Sequence, residues 1–301
     1  MELLLPKTFS TANFPVEIHA TPFDAEHDDL PDFKDEIEIY VPTYMGAQKA
    51  YDVIDELPNL KYVLLLTAGV DKVLPHIRNG ITLCNARGIH DAATAELTLG
   101  LAIASRRNIA NFVRANNDVW SLRKTESSLG NARVAIVGAG SVGTEIGRLF
   151  RAFGSETSLI SRSSKVHGTP IQYADDILRS ADIVVIVVPL TKETKGLVDH
   201  KFLAKLKTGA LLINVARGEV VNTTDLVEEL ASGRINAALD VTDPEPLPKD
   251  HALWSFENCI ISPHVGGATE TFYEKGKKLL EQNLALIAQG EKPLNVITGT
   301  Y

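Results

Sequence analysis

Short runs of β-branched and aliphatic residues alternate with amphipathic stretches along the middle of the chain. Runs of this kind are typical of strands buried on both faces of a parallel sheet, with helices as the crossover connections. We therefore predict an α/β fold built on a doubly wound parallel sheet. The predicted strands are Arg133–Val137, Ser158–Ser161, Ile183–Val188, Ala210–Asn214, Ala237–Val241 and Cys259–Ser262, and the clearest helices between them are Thr144–Phe153 and Thr224–Ser232.

The N-terminal third shows the same alternation more weakly, which predicts a second, smaller α/β unit. A long helical pattern over residues 92–116 joins the two units, and the pattern over residues 270–289 predicts a helix that returns the chain to the smaller one. We predict a smaller domain of residues 1–91 and 268–301, interrupted by a larger domain of residues 92–267. The strands predicted for the smaller domain are Ile37–Val41, Lys61–Thr67 and Ile81–Asn85.

The composition narrows the class of protein. The chain has 301 residues, 45% hydrophobic and 23% charged, which matches soluble globular proteins, and a formal net charge of −8, which argues against a nucleic-acid partner. Only two cysteines, Cys84 and Cys259, are present, far apart and without metal-binding spacing, as expected in a reducing compartment. No apolar run approaches the ~20 residues of a membrane span. We expect a cytoplasmic protein with no membrane anchor.

A glycine-rich loop links a predicted strand to a predicted helix. Residues 133–137 run into Gly138, Gly140 and Gly143 in a GxGxxG pattern, and a helical stretch follows. In such loops the glycines permit the tight turn, the approach of the backbone to a pyrophosphate, and close helix packing. A Walker A loop would need Lys-Ser/Thr after the last glycine, and a nucleophile elbow would need glycine at position 139, so neither fits. The loop predicts dinucleotide binding by the larger domain; the alternative is a glycine-rich turn without a ligand.

The residues after the next predicted strand bear on which dinucleotide binds. An NAD-binding loop carries an acidic residue ~20 positions after the glycines, where it hydrogen-bonds the ribose 2′-hydroxyl. Here that place holds Ser161, Arg162 and Ser163, followed by Ser164 and Lys165, with no carboxylate. Guanidinium and hydroxyl donors suit a 2′-phosphate, which a carboxylate would repel. We predict that NADP(H) is preferred, with NAD(H) also possible; the alternative is a solvated basic loop.

Three polar side chains follow predicted strands, where the ligand crevice of a doubly wound sheet opens. Arg217 can hold a carboxylate or carbonyl oxygen with its planar guanidinium, and His264 can protonate an alkoxide as hydride arrives. Glu245 can hydrogen-bond the far imidazole nitrogen and favour the imidazolium. Together these residue types suit reduction of a 2-keto acid without a metal ion. Taken singly, each has a structural explanation, as a helix-start charge, part of an acidic loop or a core histidine.

Four motifs occur in order along the chain: GAGSVG at 138–143, NVARG at 214–218, DVTDPEP at 240–246 and SPHVGG at 262–267. In this order they resemble the D-isomer-specific 2-hydroxyacid dehydrogenase family, and the match runs over nearly the whole chain. The resemblance implies a Rossmann domain inserted into a smaller flavodoxin-like substrate domain, with a cleft between the two. It also implies a homodimer held mainly through the Rossmann domain.

The resemblance implies a role for each matching residue. Arg217 would bind and polarise the substrate, and Glu245 with His264 would be the acid/base pair. Ala68 and Gly69 lie in a segment that resembles the family loop whose backbone amides hold the substrate carboxylate. The implied cofactor contacts, besides the loop Ser161, Arg162 and Ser163, are Thr94, Gly138, Gly140, Ser141, Val142, Gly143, Pro189, Val215, Ala216, Asp240, Gly266 and Gly267.

Two departures from the family pattern matter. Thr242 stands where the family commonly has Phe. The loop around Arg162 lacks an acidic residue, and in this it resembles the corresponding loop of the glyoxylate and hydroxypyruvate reductases that use NADPH. The resemblance therefore implies NADP(H)-dependent reduction of a small 2-keto acid to a D-2-hydroxy acid. The alternative is a dinucleotide-sensing binding protein, similar to the corepressors that share the fold. The keto acid and the physiological direction stay open.

Four bulky side chains receive separate predictions. We expect Trp120 at a subunit contact and Trp254 in the core. Tyr44 and Met45 follow the predicted strand 37–41 and are expected to face the substrate, as the corresponding family loop does.

Overall fold

The computed structural model describes residues 1–10, 12–114, 125–163 and 167–298. The chain divides into two compact units, one comprising Met1–His90 and Glu270–Tyr301 and the other Asp91–Thr269. Each unit contains a sheet of its own. Three residues named above, Trp120, Ser164 and Lys165, lie outside the described residues.

The discontinuous unit is built on a five-stranded sheet whose paired strands are all parallel. The strand order β2-β1-β3-β4-β5 is the flavodoxin-like order. The elements are β1 (Glu2–Leu5), β2 (His19–Pro22), β3 (Ile37–Tyr40), the short helix α1 (Lys49–Asp52), β4 (Tyr62–Leu64) and β5 (Thr82–Cys84).

The hydrophobic pattern predicts β3, β4 and β5 but misses the first two strands. In β1 the side chains of Leu3 and Leu4 are fully buried, yet three leucines in a row carry no alternation that would mark a strand. In β2 every residue is exposed or half-buried, because this strand lies at the edge of the sheet. An edge strand buries too little surface to impose a hydrophobic period.

The continuous unit is built on a seven-stranded sheet, again with parallel pairing throughout. The strand order β12-β11-β10-β9-β6-β7-β8 is the Rossmann order, so the predicted fold class is confirmed. Its strands are β6 (Arg133–Val137), β7 (Glu156–Ser161), β8 (Thr169–Pro170), β9 (Ile183–Ile186), β10 (Leu211–Asn214), β11 (Asn236–Leu239) and β12 (Cys259–Ile261), and its helices are α2 (Asp91–Arg106), α3 (Ile109–Arg114), α4 (Ser141–Ala152), α5 (Asp175–Ser180), α6 (His200–Leu203) and α7 (Thr223–Ala231).

The central strands carry the longest aliphatic runs because helices cover both faces of the sheet. All four residues of Ile183–Ile186 are fully buried, and they divide between two cores, one on each face. A strand buried on both sides needs apolar residues at successive positions rather than at alternate ones. The continuous run in the sequence thus follows directly from the position of β9 in the middle of the sheet.

Two predictions about this unit are wrong. The single helix predicted over residues 92–116 ends at Arg106, because Asn108 adopts a left-handed conformation with φ of +57°, and α3 starts only at Ile109. Residues 115 and 116 lie outside the described residues. Trp254 is not a core residue, since it is half exposed and its indole N–H donates to the Pro248 carbonyl at 2.9 Å.

The last helix, α8 (Thr271–Ala288), belongs to the discontinuous unit. Its buried face, which includes Phe272, Leu280 and Leu284, packs in one core with Leu3 and Leu5 of the interior strand β1. The C-terminal segment thereby covers a face of the sheet that the N-terminal segment forms. Within the described ranges, no helix combines the length and the apolarity needed to cross a membrane.

Candidate functional site

The glycine loop between β6 and α4 has two positions where a side chain cannot fit. Gly138 has a φ of +128°, and a Cβ there would lie 2.3 Å from the Val187 carbonyl oxygen. A Cβ on Gly143 would lie 1.9 Å from the carbonyl oxygen of Gly138. These two glycines are therefore required by the packing of α4 against β6 and the segment after β9.

Gly140 differs from its two neighbours in the motif. A Cβ there would meet no heavy atom of the described residues within 4 Å, so this glycine leaves open space beside the loop. It is the N-cap of α4, whose first turn from Ser141 and Val142 onward contains no acidic residue. Open space, a helix N-terminus and the absence of a repelling charge fit the pyrophosphate of a dinucleotide.

The loop after β7 contains the three residues predicted to donate to a 2′-phosphate, of which only Arg162 is exposed. Ser161 is buried and its hydroxyl donates to the Ser163 carbonyl at 3.0 Å, while Arg162 is exposed. The pKa of the Glu193 carboxyl, after β9, lies below its ordinary value. The Thr191 hydroxyl and the Glu193 amide hydrogen-bond to that carboxyl, and the positive charge of Arg162 acts on it. Sequence reasoning missed Glu193, because it lies outside every motif.

Two further segments after strands carry predicted cofactor contacts. Pro189 is exposed after β9, and its carbonyl accepts a hydrogen bond from the Thr194 hydroxyl at 2.6 Å. After β10, Val215 is half-buried and Ala216 is buried, with the Ala216 amide donating to the Asn214 side chain at 3.0 Å. Both segments are turns held by side-chain hydrogen bonds to the backbone.

The turn after β10 also shapes the surroundings of Arg217. The buried Asn214 side chain donates through Nδ2 to the Arg217 carbonyl at 2.9 Å. The half-buried guanidinium donates through Nη1 to the Ala216 carbonyl at 2.8 Å. The Asn214 amide group therefore fixes the turn on both sides of Ala216, and this fixes where the Arg217 side chain begins.

Asp240, directly after β11, organises the segment that carries His264. Its buried carboxylate accepts hydrogen bonds from the Ser262 hydroxyl at 2.7 Å and from the amides of Val265 and Gly266, each at 2.9 Å. The His264 amide donates to the Asp240 carbonyl at 2.7 Å. Sequence reasoning assigned Asp240 a cofactor contact but missed Ser262, whose signal is its place directly after β12.

His264 and Glu245 come together in the structure. The imidazole Nδ1 donates to the Glu245 carboxylate at 2.7 Å, and the two side chains are 25% and 36% exposed. The backbone of His264 has a φ of +54°, a conformation that residues other than glycine seldom adopt unless surrounding hydrogen bonds hold it. Because Glu245 engages Nδ1, the second ring nitrogen, Nε2, is not used in this hydrogen bond.

Gly266, the first glycine after His264, lies against Asp240 and the start of α2. A Cβ on Gly266 would be 2.9 Å from an Asp240 carboxylate oxygen, so only glycine permits this approach. The buried Thr94 donates its hydroxyl to the Gly266 carbonyl at 3.3 Å, and Gly267 is half-buried beside it. The structure thus joins Thr94, Asp240 and Gly266 through direct contacts.

In the discontinuous unit, the loop after β4 has its carbonyls held by side chains. The Ala68 carbonyl accepts from Asn85 Nδ2 at 2.7 Å, and the Gly69 carbonyl accepts from the Thr67 hydroxyl at 2.9 Å. The preceding carbonyl, of Leu66, accepts from His90 Nε2 at 2.9 Å. Asn85 and His90 were not predicted, since neither belongs to a motif quoted above.

Tyr44 and Met45 lie in the same unit. The ring of Tyr44 packs on Phe272 with centroids 4.0 Å apart and stacks on His90 at 5.5 Å. Met45 is 47% exposed and has a φ of +55°. Tyr44 is therefore part of an aromatic cluster, whereas Met45 presents its side chain to the surface of the unit.

Comparison with known proteins gives the family to which this chain is similar. The family model described as "D-isomer specific 2-hydroxyacid dehydrogenase, NAD binding domain" matches residues 99–266. The mouse glyoxylate reductase/hydroxypyruvate reductase is 35% identical over 247 residues, which are 77% of this chain and 75% of the mouse protein. The glyoxylate reductase of Aeropyrum pernix is 33% identical over 264 residues, which are 82% of this chain and 78% of that protein.

A solved structure extends the likeness to the whole chain. The crystal structure of a D-isomer specific 2-hydroxyacid dehydrogenase from Xanthobacter autotrophicus Py2, in complex with NADPH and MES, superposes with a TM-score of 0.81 at 25% identity. The superposition covers 99% of this chain and 98% of that one. Both units, and not only the one with the glycine loop, therefore have counterparts in that structure.

Proposed function

Since the chain belongs to the D-isomer specific 2-hydroxyacid dehydrogenase family, we propose that it reduces a small 2-keto acid to the D-2-hydroxy acid with NADPH. The family makes it an oxidoreductase of 2-hydroxy acids that uses a nicotinamide dinucleotide. The observation that carries the proposed mechanism is the 2.7 Å hydrogen bond between His264 and Glu245. Glyoxylate and hydroxypyruvate are the first substrates to test, because the two relatives compared above carry those names.

In this proposal each side chain of the site has one task. Arg217 binds the keto acid through its guanidinium and polarises the carbonyl. The reduced nicotinamide, when bound, supplies the hydride. His264 donates a proton from Nε2 to the carbonyl oxygen, and Glu245 holds the ring through Nδ1 and stabilises the positive charge of the imidazolium. In the oxidative direction His264 takes the proton back.

We assign the substrate carboxylate to the loop of Ala68 and Gly69 in the discontinuous unit, which makes that unit the substrate domain. The side chains of Asn85 and Thr67 hold the carbonyls of this loop. Peptide groups fixed in this way can present their N–H groups to an anion without rearrangement, which lowers the cost of binding. The proposed cofactor contacts are those given by the family motifs, in the unit Asp91–Thr269.

NADP(H) preference rests on the loop Ser161–Ser163. Its exposed Arg162 and half-buried Ser163 can donate to a 2′-phosphate, whereas the Ser161 hydroxyl already donates to the Ser163 carbonyl. The Xanthobacter structure holds NADPH. Replacing Arg162 with Asp should lower kcat/KM for NADPH at least ~10-fold relative to NADH. Arg179→Asp, an exposed arginine at the end of α5, is the matched control. An unchanged NADPH to NADH ratio in Arg162→Asp would show that another group selects the cofactor.

The reaction itself is tested by following NADPH absorbance with a panel of 2-keto acids. His264→Ala should abolish turnover while the Kd for NADPH stays close to that of the wild-type protein, and His200→Ala, an exposed histidine on α6, should be active. NADPH binding without turnover of any keto acid would favour a dinucleotide-sensing protein instead. Turnover by His264→Ala at the wild-type rate would refute the proton-donor role.

We propose that the protein is a cytoplasmic homodimer joined through the Rossmann unit. Both cysteines are free thiols, as expected of a protein in a reducing compartment. On α3 the side chains of Phe112 and Val113 are 46% and 72% exposed, which suits a surface covered by a partner. Replacing both with Ser should give monomers in sedimentation, whereas Phe153→Ser, at the end of α4, should leave the assembly unchanged.

A further inference from the structure

We propose that the hydroxyl groups of Thr223 and Thr242 position Glu245, and through it His264. The inference rests on the proposed function, in which Glu245 orients the proton donor. Each threonine hydroxyl donates to a backbone carbonyl of the segment before Glu245, so both are positioning residues rather than catalytic ones. The argument starts from the segment that leads from β11 to Glu245.

The three carbonyls that precede Glu245 each have a defined contact. The Thr223 hydroxyl donates to the Asp243 carbonyl at 2.7 Å, and the Thr242 hydroxyl donates to the Pro244 carbonyl at 2.9 Å. The Thr242 carbonyl packs against Gly218, where a Cβ would lie only 1.9 Å from its oxygen. The backbone is thereby held at every step from residue 242 to residue 244.

The segment needs such contacts because it has few other means of being held. Asp243, Pro244, Glu245 and Pro246 are all exposed, so burial contributes little to fixing them. The two prolines have no amide hydrogen and cannot donate to neighbouring backbone. Side-chain hydroxyls that donate to its carbonyls replace the missing hydrogen bonds. Without them, the Glu245 backbone would sample a wider range of positions relative to His264.

Thr223 is a suitable anchoring point for this segment because its own helix, α7, is held in place. It is the first residue of α7, and the Asn222 side chain caps that helix by accepting from the Asp225 amide at 3.1 Å. Leu226 and Leu230 bury the other face of α7 in the core of the unit. A hydroxyl on this turn therefore ties the Asp243 carbonyl to a helix that the core holds in place.

The direct test compares Thr223→Val, which keeps the shape and removes the hydroxyl, with Thr223→Ser, which keeps the hydroxyl. Thr223→Val should lower kcat for keto-acid reduction about tenfold, because small displacements of a reacting group cost large factors in rate. The KM for the keto acid and the Kd for NADPH should stay within about twofold, since Arg217 and the glycine loop are untouched. Thr223→Ser should restore kcat.

Matched controls separate positioning from general loosening. Thr224→Val makes the same chemical change at the next, exposed position of α7 and should leave kcat at the wild-type value. Thr242→Val should lower kcat as Thr223→Val does. Thermal unfolding of each variant, measured without cofactor, should show a folded protein in every case.

A double-mutant cycle tests whether Thr223 acts through Glu245. In a Glu245→Ala background, adding Thr223→Val should change kcat less than about twofold, because the side chain through which Thr223 acts is already absent. If the loss of kcat in the double variant equals the product of the two single losses, or if Thr223→Val keeps the wild-type kcat, the inference is wrong while the proposed function stands. A wild-type protein that reduces no 2-keto acid would overturn the proposed function, and the inference with it.

Discussion

The three glycines of the GxGxxG loop should respond to alanine in two different ways. A Cβ on Gly143 would lie 1.9 Å from the Gly138 carbonyl oxygen, well inside the 3.4 Å at which ordinary contact begins. Because the obstacle is backbone rather than a flexible side chain, α4 and the loop must separate. Gly140 meets no heavy atom of the described residues within 4 Å, and its φ of −81° and ψ of −169° suit any L-residue.

The magnitudes follow from these geometries. Overpacking of a rigid position costs ~1–3 kcal/mol, and we expect Gly143→Ala near the upper end. At about 2–4 °C per kcal/mol for a unit of this size, the Tm should fall by roughly 6–12 °C. Gly140→Ala should change stability by less than ~1 kcal/mol. The new methyl group at position 140 would fill the space left for the pyrophosphate. The pyrophosphate would then lose charge-assisted hydrogen bonds to the loop, and NADPH binding should weaken at least ~10-fold.

The assay pairs thermal unfolding of the cofactor-free variants with calorimetric titration of NADPH. Gly143→Ala should show the lowered Tm, and Gly140→Ala should show a wild-type Tm with a raised Kd. Gly138→Ala, where the Cβ would be 2.3 Å from the Val187 oxygen, should behave like Gly143→Ala. A wild-type Kd in Gly140→Ala, or a wild-type Tm in Gly143→Ala, would refute the division between packing and ligand space.

Three further predictions concern the rest of the molecule. Burial raises the pKa of Cys84 to about 11 and that of Cys259 to about 12. At pH 8 a disulfide reagent should therefore label neither thiol in the native protein but both in guanidinium. Rapid labelling of the native protein would contradict this. Asn222→Ala should cost ~1 kcal/mol in thermal unfolding through the lost helix cap, whereas Asn222→Asp, which keeps the acceptor, should not. Ser262→Ala should cost ~1.5–3 kcal/mol in chemical denaturation, because it removes a donor from the buried Asp240 carboxylate, and Ser262→Thr should recover most of it. Equal stability of the Ala and Thr variants would show that the hydrogen bond contributes nothing.

Strands and helices with a strong hydrophobic period were predictable, and those without one were not. The predicted strand 133–137 coincides with β6, since a strand in the middle of a Rossmann sheet is apolar at nearly every position. The edge strand β2 and the two-residue β8 escaped prediction because edge strands bury little surface. The break between α2 and α3 also escaped, because one left-handed residue, Asn108, interrupts the helix without interrupting its pattern.

In the candidate site, too, local features were predictable and long-range contacts were not. The residue types Arg217, Glu245 and His264, each placed after a strand, were sufficient to predict keto-acid chemistry, because the carboxyl ends of parallel strands lie at one edge of the sheet. The pattern could not indicate that Ser262 donates to Asp240 or that Glu193 lies within the field of Arg162. These relations join residues that no period or motif connects.

The sequence by itself determined the α/β class, the glycine loop and the chemical identity of the groups after each strand. These are local properties, since hydrophobic period, glycine spacing and side-chain chemistry act within a few residues of one another. The Glu245–His264 pair was predicted, but only the tertiary structure decided that the ring nitrogen engaged by Glu245 is Nδ1. It also decided that His264 holds a left-handed backbone beside Asp240 and that Thr223 holds the Asp243 carbonyl. Each of these depends on hydrogen bonds between residues 19 or more positions apart. Which residues become partners depends on how strands and loops pack, and no single segment of the sequence determines that packing.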